Sequence, residues 1–288
     1  MSIKDGILTG KVAVITGASQ GLGESLARLF AAEGAEVMLS ARNLLALEKI
    51  SNEINASGFS AAIFTCDVQN LFQVEALAEY TLKRFGKIDI WINNAGIAGP
   101  YGRTLDLPVE KFLDVLRTNV IGQYNGSVTA LRFFLDQSHG KLINILGRGD
   151  DQPVPMQNAY ASSKTWVRNF TRALAKEYKK TGIGIFAFNP GLMDTQFLRD
   201  IETFPGMEAQ LKVMPFLIRA FAAPPEIVTR KILKLASRAT DGKTDLYIRN
   251  TSRLGLISNL ILMIFKNSKR PAELRIRTIP SAFNPLRK

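Results

Sequence analysis

The chain has 288 residues, 46% of them hydrophobic and 22% charged, a balance typical of a globular protein rather than a disordered one. This length suits one large α/β domain or two small domains. The single cysteine, Cys66, excludes a disulfide framework and favours a reducing compartment, so we predict a cytoplasmic protein.

Charge and hydropathy narrow the range of partners. Residues 1–11 lack the apolar run of a secretory signal, and no stretch reaches the ~18 apolar residues that a membrane-spanning helix needs. The net charge of +12 is concentrated near the C-terminus, where residues 249–288 contain nine basic side chains and one acid, Glu273. Because the rest of the chain is only mildly basic, we predict no nucleic-acid partner.

Apolar runs alternate with helical patterns as far as about residue 250, which predicts βαβ units and a parallel sheet. The predicted strands are residues 12–16, 36–40, 60–66, 88–92, 141–146, 184–189 and 245–248. Helices are predicted to begin near Gly21, Leu44, Asn70, Val109 and Asn158. Several strands are apolar on both faces, as in sheets covered by helices on both sides. The predicted fold is a Rossmann-type, doubly wound α/β domain of about seven strands in three αβα layers, spanning residues 1–250.

Residues 251–288 form a predicted C-terminal extension of different character. Residues 254–265 are apolar except at Gly255, Ser258 and Asn259, and a basic segment follows. Two placements fit this composition. The apolar stretch and its flanking positive charges suit peripheral contact with an anionic membrane; alternatively, the extension packs on the domain or on a second subunit.

A glycine-rich turn follows the first predicted strand. Its sequence is Thr16-Gly17-Ala18-Ser19-Gln20-Gly21-Leu22-Gly23, and apolar residues then recur at helical spacing. In a strand–turn–helix setting, Gly17, Gly21 and Gly23 allow a tight turn, a close approach of the backbone to pyrophosphate, and close packing of the helix on the strand. The turn therefore predicts a dinucleotide site.

The residues at the end of the second predicted strand indicate which group is recognised at the 2′ position of the nucleotide's ribose. The sequence there is Leu39-Ser40-Ala41-Arg42-Asn43, with no acid before Glu48. A carboxylate at this place would bind the ribose diol of NAD, whereas a guanidinium pairs well with the 2′-phosphate of NADP. We therefore predict NADP(H) rather than NAD(H), the alternative being that Arg42 only faces solvent.

Tyr160 and Lys164 lie one helical turn apart, so their side chains project from the same face of a helix. A free tyrosine has a pKa near 10, too high for it to serve readily as a base at neutral pH. The charge of Lys164 favours the phenolate, so we expect it to lower the pKa of Tyr160 and make that residue a general acid/base.

With Asp67, Asn93-Asn94-Ala95-Gly96, Asn119 and Pro190-Gly191 in this order, the chain resembles the short-chain dehydrogenase/reductase family over about residues 8–250. The resemblance implies an NAD(P)(H)-dependent oxidoreductase that transfers a hydride to or from a carbonyl or alcohol. It implies Tyr160, Lys164 and Asn119 as the catalytic residues. The cofactor-binding residues predicted from the motifs and the resemblance together are Gly17, Ser19, Gln20, Gly21, Leu22, Gly23, Arg42, Asp67, Val68, Asn94, Ala95, Gly96, Tyr160, Lys164, Pro190, Gly191 and Thr195.

One position departs from the family pattern. The serine that usually stands thirteen residues before the tyrosine is Gly147 here. Loss of one such hydrogen-bond donor costs about 10²–10³ in rate if nothing replaces it. Three interpretations stay open: another donor such as Arg148 or a backbone N–H serves, the substrate is held differently, or the protein is a regulatory or scaffolding NADP(H)-binding relative with little turnover.

The same stretch, Asn144-Ile145-Leu146-Gly147-Arg148-Gly149, is similar to the chlorophyll(ide) b reductase branch of the family, in which a formyl group on a chlorin ring is reduced with NADPH. We predict a small hydrophobic carbonyl or alcohol as the substrate, and a homo-oligomer. An apolar run between Gly191 and Pro225 suits either a substrate lid or a helix packed on the sheet. The only histidine, His139, lies in a predicted loop, so we expect no metal site.

Overall fold

The centre of the protein is a parallel sheet of seven strands. The computed structural model describes residues 6–250 and 273–283. The strands of this sheet are β1 (Val12–Thr16), β2 (Glu36–Ala41), β3 (Ala61–Thr65), β4 (Ile90–Asn93), β5 (Lys141–Ile145), β6 (Gly184–Asn189) and β8 (Leu246–Arg249). Across the sheet they lie in the order β3-β2-β1-β4-β5-β6-β8. The predicted fold and all seven predicted strands are confirmed, with strand ends that differ by up to two residues.

Helices cover both faces of the sheet and make the three-layer fold that the sequence predicts. The helices of the described residues are α1 (Gly21–Ala32), α2 (Leu44–Ala56), α3 (Leu71–Phe85), α4 (Val109–Leu116), α5 (Gly122–Gln137), α6 (Asn158–Glu177), α7 (Gln196–Arg199), α8 (Glu208–Leu211), α9 (Met214–Phe221) and α10 (Pro225–Ala236). Helix α3 begins one residue later than predicted because Asn70 is its N-cap and accepts a hydrogen bond from Gln73 N.

Each face of the sheet has its own apolar core, because successive side chains of a strand point in opposite directions. Ile15 of β1 packs with the helices α1, α2 and α10, whereas the adjacent Val14 packs with α3, α5 and α6. Phe30 and Trp91, one in each core, are fully buried. Burial of aromatic side chains of this size stabilises the fold and fixes the positions of the strand ends.

Strand order reverses between β1 and β4, since the chain adds β2 and β3 on one side of β1 and β4, β5, β6 and β8 on the other. In doubly wound folds the crevice at such a point, outside the carboxyl ends of the strands, is where ligands bind. The glycine turn after β1 and the Asn93–Gly96 segment after β4 both lie at this edge.

A second, two-stranded parallel sheet lies outside the main one and was not predicted from the sequence. It pairs β7 (Asp200–Thr203) with β9 (Arg275–Thr278). Part of the C-terminal extension therefore packs on the domain of its own chain. Residues 251–272, with the apolar stretch for which membrane contact was predicted, lie outside the described residues.

Within residues 6–250 and 273–283, no helix is both long and apolar enough to cross a membrane.

Candidate active site

A cleft of about 490 Å³ opens at the carboxyl edge of the sheet, where the strand order reverses. Nearly all of the predicted site residues lie on its wall. Those that do are Gly17, Ser19, Gln20, Gly21, Leu22, Arg42, Asp67, Val68, Asn94, Ala95, Gly96, Tyr160, Lys164, Pro190, Gly191 and Thr195. Gly23 and Asn119 do not line the cleft, and each contacts residues that do.

The glycine turn has the geometry that an anion site requires. Gly17 and Gly21 adopt φ values of +64° and +58°, a region that side chains disfavour. A Cβ on Gly23 would lie 2.2 Å from the carbonyl oxygen of Gly17, so this glycine permits close packing of α1 beneath the turn. Gln20, the N-cap of α1, makes no side-chain capping bond, which leaves first-turn amides available to a phosphate.

Asn94 holds the glycine turn in place from the neighbouring strand end. Its side-chain amide donates to the carbonyl oxygens of Thr16 and Gly17, at 3.0 and 3.1 Å. The hydroxyl of Thr16 in turn accepts from the backbone N–H of Asn94 at 3.0 Å. These bonds join the ends of β1 and β4, so contacts within the protein itself position the turn.

The two ends of the cleft differ in chemistry. Arg42 is exposed at one end, directly after β2, and Asp67 and Val68 line the cleft nearby. The opposite end contains Tyr160 and Lys164, both from the first half of α6. A molecule that spans the cleft, as a dinucleotide would, reaches from the arginine to the tyrosine.

Tyr160 and Lys164 are buried at the carboxyl end of β5, with 9% and 4% of their surfaces exposed. The Nζ of Lys164 donates to the carbonyl oxygen of Ile145 at 3.1 Å and lies 5.6 Å from the centroid of the Tyr160 ring. A Cβ on Gly96 would lie 3.6 Å from the same Nζ. The structure therefore brings the predicted pair to the strand-end loops of β4 and β5.

Burial changes the acidity of both side chains. Loss of solvent raises the pKa of Tyr160 above its ordinary value, and the nearby Asp150 carboxylate raises it further. The net direction for Tyr160 is thus opposite to the lowering that we expected from Lys164, because loss of solvent is the largest cause of the shift. Burial lowers the pKa of Lys164 to about 8, because the ammonium form loses hydration, and Asp150 opposes this change. At neutral pH Tyr160 keeps its proton, which suits a proton donor.

Asn119 lies in a π-helical turn, Arg117–Ile121, between α4 and α5. Its side chain is fully buried and bonds both the N–H and the carbonyl oxygen of Ile97, each at 2.9 Å. It also donates to the hydroxyl of Ser163 at 3.0 Å. Such turns often mark functional positions in helices. Here the turn lets one side chain hold the cleft loop at Ile97 against α6.

Gly147, which replaces the expected serine, packs directly against the tyrosine. A Cβ at this position would lie 2.1 Å from the Tyr160 hydroxyl oxygen and 3.0 Å from the adjacent ring carbon. No side chain, serine included, fits there unless Tyr160 moves. The glycine is thus the residue that this position of the tyrosine requires.

The loop after Gly147 is held from three directions. The side-chain amide of Asn189 on β6 donates to the carbonyl oxygen of Gly147 at 3.0 Å. The hydroxyl of Thr165 on α6 donates to the carbonyl oxygen of Gly149 at 2.6 Å. Asp150, a buried carboxylate, accepts from the Tyr247 hydroxyl at 2.9 Å and from Arg249 at 2.8 Å. Sequence reasoning missed Asp150, since its partners on β8 are about a hundred positions away.

The remaining wall of the cleft is mostly apolar and comes from the segment after Gly191. Its residues that line the cleft include Leu192, Met193, Phe197, Leu198, Ile201, Leu211 and Met214. The ring of Phe197 lies 5.9 Å from that of Tyr160, tilted by 52°. The apolar run between Gly191 and Pro225 was the signal for this wall. Tyr101, which also lines the cleft, carried no sequence signal.

Among the residues that the structure describes, no group of three or more His, Cys, Asp or Glu side chains is arranged to hold a metal ion.

Comparison with models of known protein families identifies the family to which the chain belongs. A family model described as short chain dehydrogenase matches residues 11–205, more than half of the chain. The chain therefore belongs to the short-chain dehydrogenase family, as its motifs indicated, and is an oxidoreductase.

Individual relatives agree with this assignment. A Streptomyces coelicolor protein described as "Putative ketoacyl reductase" is 36% identical over 187 residues, 64% of this chain and 71% of that protein. A crystal structure of a variant of actinorhodin polyketide ketoreductase with NADPH has a TM-score of 0.76 and 28% identity, over 85% of this chain and 97% of that one. A 3-ketoacyl-(acyl-carrier-protein) reductase from Brucella melitensis complexed with NADH has a TM-score of 0.75 and 27% identity, over 86% and 99% of the two chains.

The contact between Gly147 and Tyr160 predicts the effect of adding a side chain. We expect Gly147→Ala to lower turnover by about 10²-fold, because a displacement of ~1 Å in a catalytic group has an effect of this size. Gly147→Ser should do the same instead of restoring a missing donor. Steady-state kinetics measures both variants beside the parent.

An unfolding experiment separates this contact from a general loss of stability. The free energy that Gly147→Ala costs should be smaller in a Tyr160→Phe background, since the atom 2.1 Å from the new Cβ is then absent. Equal costs in the two backgrounds would contradict the contact as the cause.

Proposed function

We propose that the protein is an NADP(H)-dependent reductase of hydrophobic ketones or aldehydes, with Tyr160 as the proton donor. The observation that carries this proposal is the buried Tyr160–Lys164 pair in the same cleft as the uncapped N-terminus of α1. Similarity to a ketoreductase solved with NADPH supports the choice of both cofactor and reaction. The physiological reaction would transfer a hydride between the nicotinamide and one carbon of the substrate.

The residues of the cleft fit a dinucleotide, and different residues would bind its different parts. The glycine turn and first-turn amides of α1 would hold the pyrophosphate, and Asp67 and Val68 the adenine. Pro190, Gly191 and Thr195 would lie beside the nicotinamide, whose chemistry is to supply the hydride. Lys164 would hold the nicotinamide ribose.

The source of the transferred proton follows from the directions in which the pKa values of Tyr160 and Lys164 shift. As the substrate carbon gains a hydride, negative charge develops on its oxygen, and the Tyr160 hydroxyl donates its proton there. The resulting phenolate is stabilised by the ammonium of Lys164. A raised pKa keeps Tyr160 protonated before reaction, which is the protonation state that reduction of a carbonyl requires. Backbone N–H groups of the Gly147 loop, together with Arg148, are the candidates for a second donor to the same oxygen.

Two rival interpretations are weighed against this one. Gly147 motivated the idea of a regulatory NADP(H)-binding protein with little turnover, and that alternative stays open; its close approach to Tyr160 supports the proposal by giving a packing reason for the missing serine. The narrower resemblance to the chlorophyll(ide) b reductase branch stays a prediction. The apolar wall suits any bulky aldehyde or ketone, and ketoacyl relatives favour a chain-like substrate.

The expected homo-oligomer also stays a prediction, and one surface supports it. Trp166 stacks on Phe170 of α6 at 4.6 Å, and Tyr124 of α5 lies 6.0 Å from Phe170. Trp166 and Tyr124 are 37% and 45% exposed, so the cluster is available to a second copy. A cytoplasmic location and peripheral membrane contact are likewise predictions.

Removing the tyrosine hydroxyl tests the proposed mechanism. We expect Tyr160→Phe to reduce turnover of an aldehyde and ketone panel by at least about 10²-fold, because proton donation contributes 10²–10⁴ in rate. NADPH titration should give nearly the parent dissociation constant, since Lys164 and the glycine turn are unchanged. A variant with most of the parent activity would refute the role of Tyr160; a parent with NADPH affinity and no turnover would favour the regulatory alternative.

Arg42 should decide the cofactor preference. We expect Arg42→Ala to weaken NADPH binding by about 1.5–3 kcal/mol, the range for hydrogen bonds to a charged group, and to leave NADH binding nearly unchanged. Fluorescence titration measures both cofactors. Arg84→Ala, which removes the same charge from an exposed position of α3, is the matched control. Equal affinity of the parent for NADPH and NADH would contradict the prediction.

The pKa of Lys164 predicts how the rate of carbonyl reduction depends on pH. Its charged form stabilises the phenolate, and its pKa is lowered to about 8, so the charge is present below that pH and is lost above it. We therefore expect kcat/KM for carbonyl reduction, which reports the enzyme before the carbonyl substrate binds, to fall as pH rises through about 8. A profile that stays flat well above pH 8 would show that Lys164 titrates elsewhere or does not contribute.

A further inference from the structure

The substrate-facing wall of the cleft includes a strand that does not belong to the main sheet. Asp200 and Ile201 of β7 line the cleft, yet β7 belongs to the separate two-stranded sheet. On one side, β7 contacts the loop after β4. The N–H of Tyr101 donates to the backbone carbonyl oxygen of Glu202 at 2.8 Å, and the Thr203 hydroxyl donates to the carbonyl oxygen of Tyr101, also at 2.8 Å. Tyr101 itself lines the cleft.

The other side of β7 is covered by the C-terminal segment. In register, Asp200, Ile201, Glu202 and Thr203 pair with Arg275, Ile276, Arg277 and Thr278. The N–H of Ile279 continues the ladder by donating to the carbonyl oxygen of Thr203 at 2.8 Å. We name residues 273–283 the C-terminal strap. Because strand pairs of this length are marginal alone, the position of β7 depends on the strap as well as on Tyr101.

Charged side chains attach the strap to the wall. The carboxylate of Glu202, 21% exposed, bonds Lys111 of α4 at 2.9 Å and also bonds Arg277 of the strap. Further along, the Thr278 hydroxyl donates to the Glu208 carboxylate of α8 at 3.1 Å. Helix α8 ends at Leu211, another residue of the cleft wall. The strap therefore touches two consecutive pieces of that wall.

A buried acid anchors the far end of the strap. Asp106 is 4% exposed and accepts from Ser281 Oγ at 2.8 Å and from Arg103 Nε at 2.8 Å. Its carbonyl oxygen accepts from the N–H of Ala282 at 2.9 Å. Arginine holds the pKa of this carboxyl below its ordinary value, so the acceptor is charged at neutral pH. A charged acceptor strengthens the bond from Ser281.

We propose that the C-terminal strap fixes the substrate wall of the cleft and thereby determines the affinity for bulky apolar carbonyl substrates. The cofactor half of the cleft lies on the main sheet and needs no strap. A bulky substrate would bury its apolar part against Ile201, Leu211 and Met214, whereas a small one would contact little beyond Tyr160. The part concerning affinity rests on the proposed function, and the part concerning the wall does not.

The test compares two truncated chains with two substituted full-length variants, one double and one single. A chain ending at residue 283 keeps the strap, and a chain ending at residue 272 lacks it. In the full chain, Arg277→Ala with Ser281→Ala removes two side-chain attachments, and Arg275→Ala is the charge-matched control on the same strand. Arg275 forms no ion pair with the described residues. Each protein is measured for NADPH affinity, for KM and kcat with a small and a bulky apolar ketone, and for amide exchange at residues 200–203.

We expect loss of the strap to raise KM for the bulky ketone at least about 10-fold, with kcat/KM for the small ketone and NADPH affinity within about twofold of the parent. The double substitution should shift KM in the same direction, and the two controls should not. Amide exchange at residues 200–203 should speed up whether or not the protein turns over, so this readout survives a failure of the proposed function. Unchanged exchange after strap removal, or an unchanged KM for the bulky ketone with faster exchange, would overturn the proposal.

Discussion

Tyr160 can donate a proton only if its hydroxyl faces the cleft, and glycine at position 147 leaves the space that this hydroxyl occupies. A Cβ at residue 147 would lie 2.1 Å from the phenolic oxygen, so any other residue there would require the tyrosine side chain to shift. Asn189, Thr165 and Arg249 hold the loop from β6, α6 and β8. A departure from the family pattern is thus tied to the position of the proposed proton donor, and three elements of the fold hold the loop against which that residue packs.

Desolvation then sets the chemistry of the pair. Burial disfavours charge, so it raises the pKa of Tyr160 and lowers that of Lys164. Asp150 acts in the direction that raises both values, and its own charge is paired with Arg249. The protein alone therefore carries the proton on Tyr160 at neutral pH. This is the protonation state that the proposed carbonyl reduction requires.

The central sheet and the cofactor half of the site were predictable because their signals are local. Apolar runs of β1 and β4 and the glycines after β1 each specify their own conformation, and parallel strand ends meet at one edge. What was missed depends on distant contacts. Strands β7 and β9 pair across 75 positions without alternating apolar residues, and Asp150 contacts Tyr247 only in the folded chain. Likewise, the fit of Gly147 to Tyr160 is a distance between two elements, whereas the sequence showed only that serine was absent.

Transfer of a labelled hydride tests the central claim most directly. The protein is mixed with NADPH deuterated at the transferable position of C4 and with a panel of apolar ketones and aldehydes, and the alcohol products are analysed by mass spectrometry. The account predicts one deuterium on the carbinol carbon per product molecule for the parent protein, and at least about 10²-fold less labelled product from Tyr160→Phe in the same time. Tight NADPH binding with no deuterated alcohol from any member of the panel would contradict it.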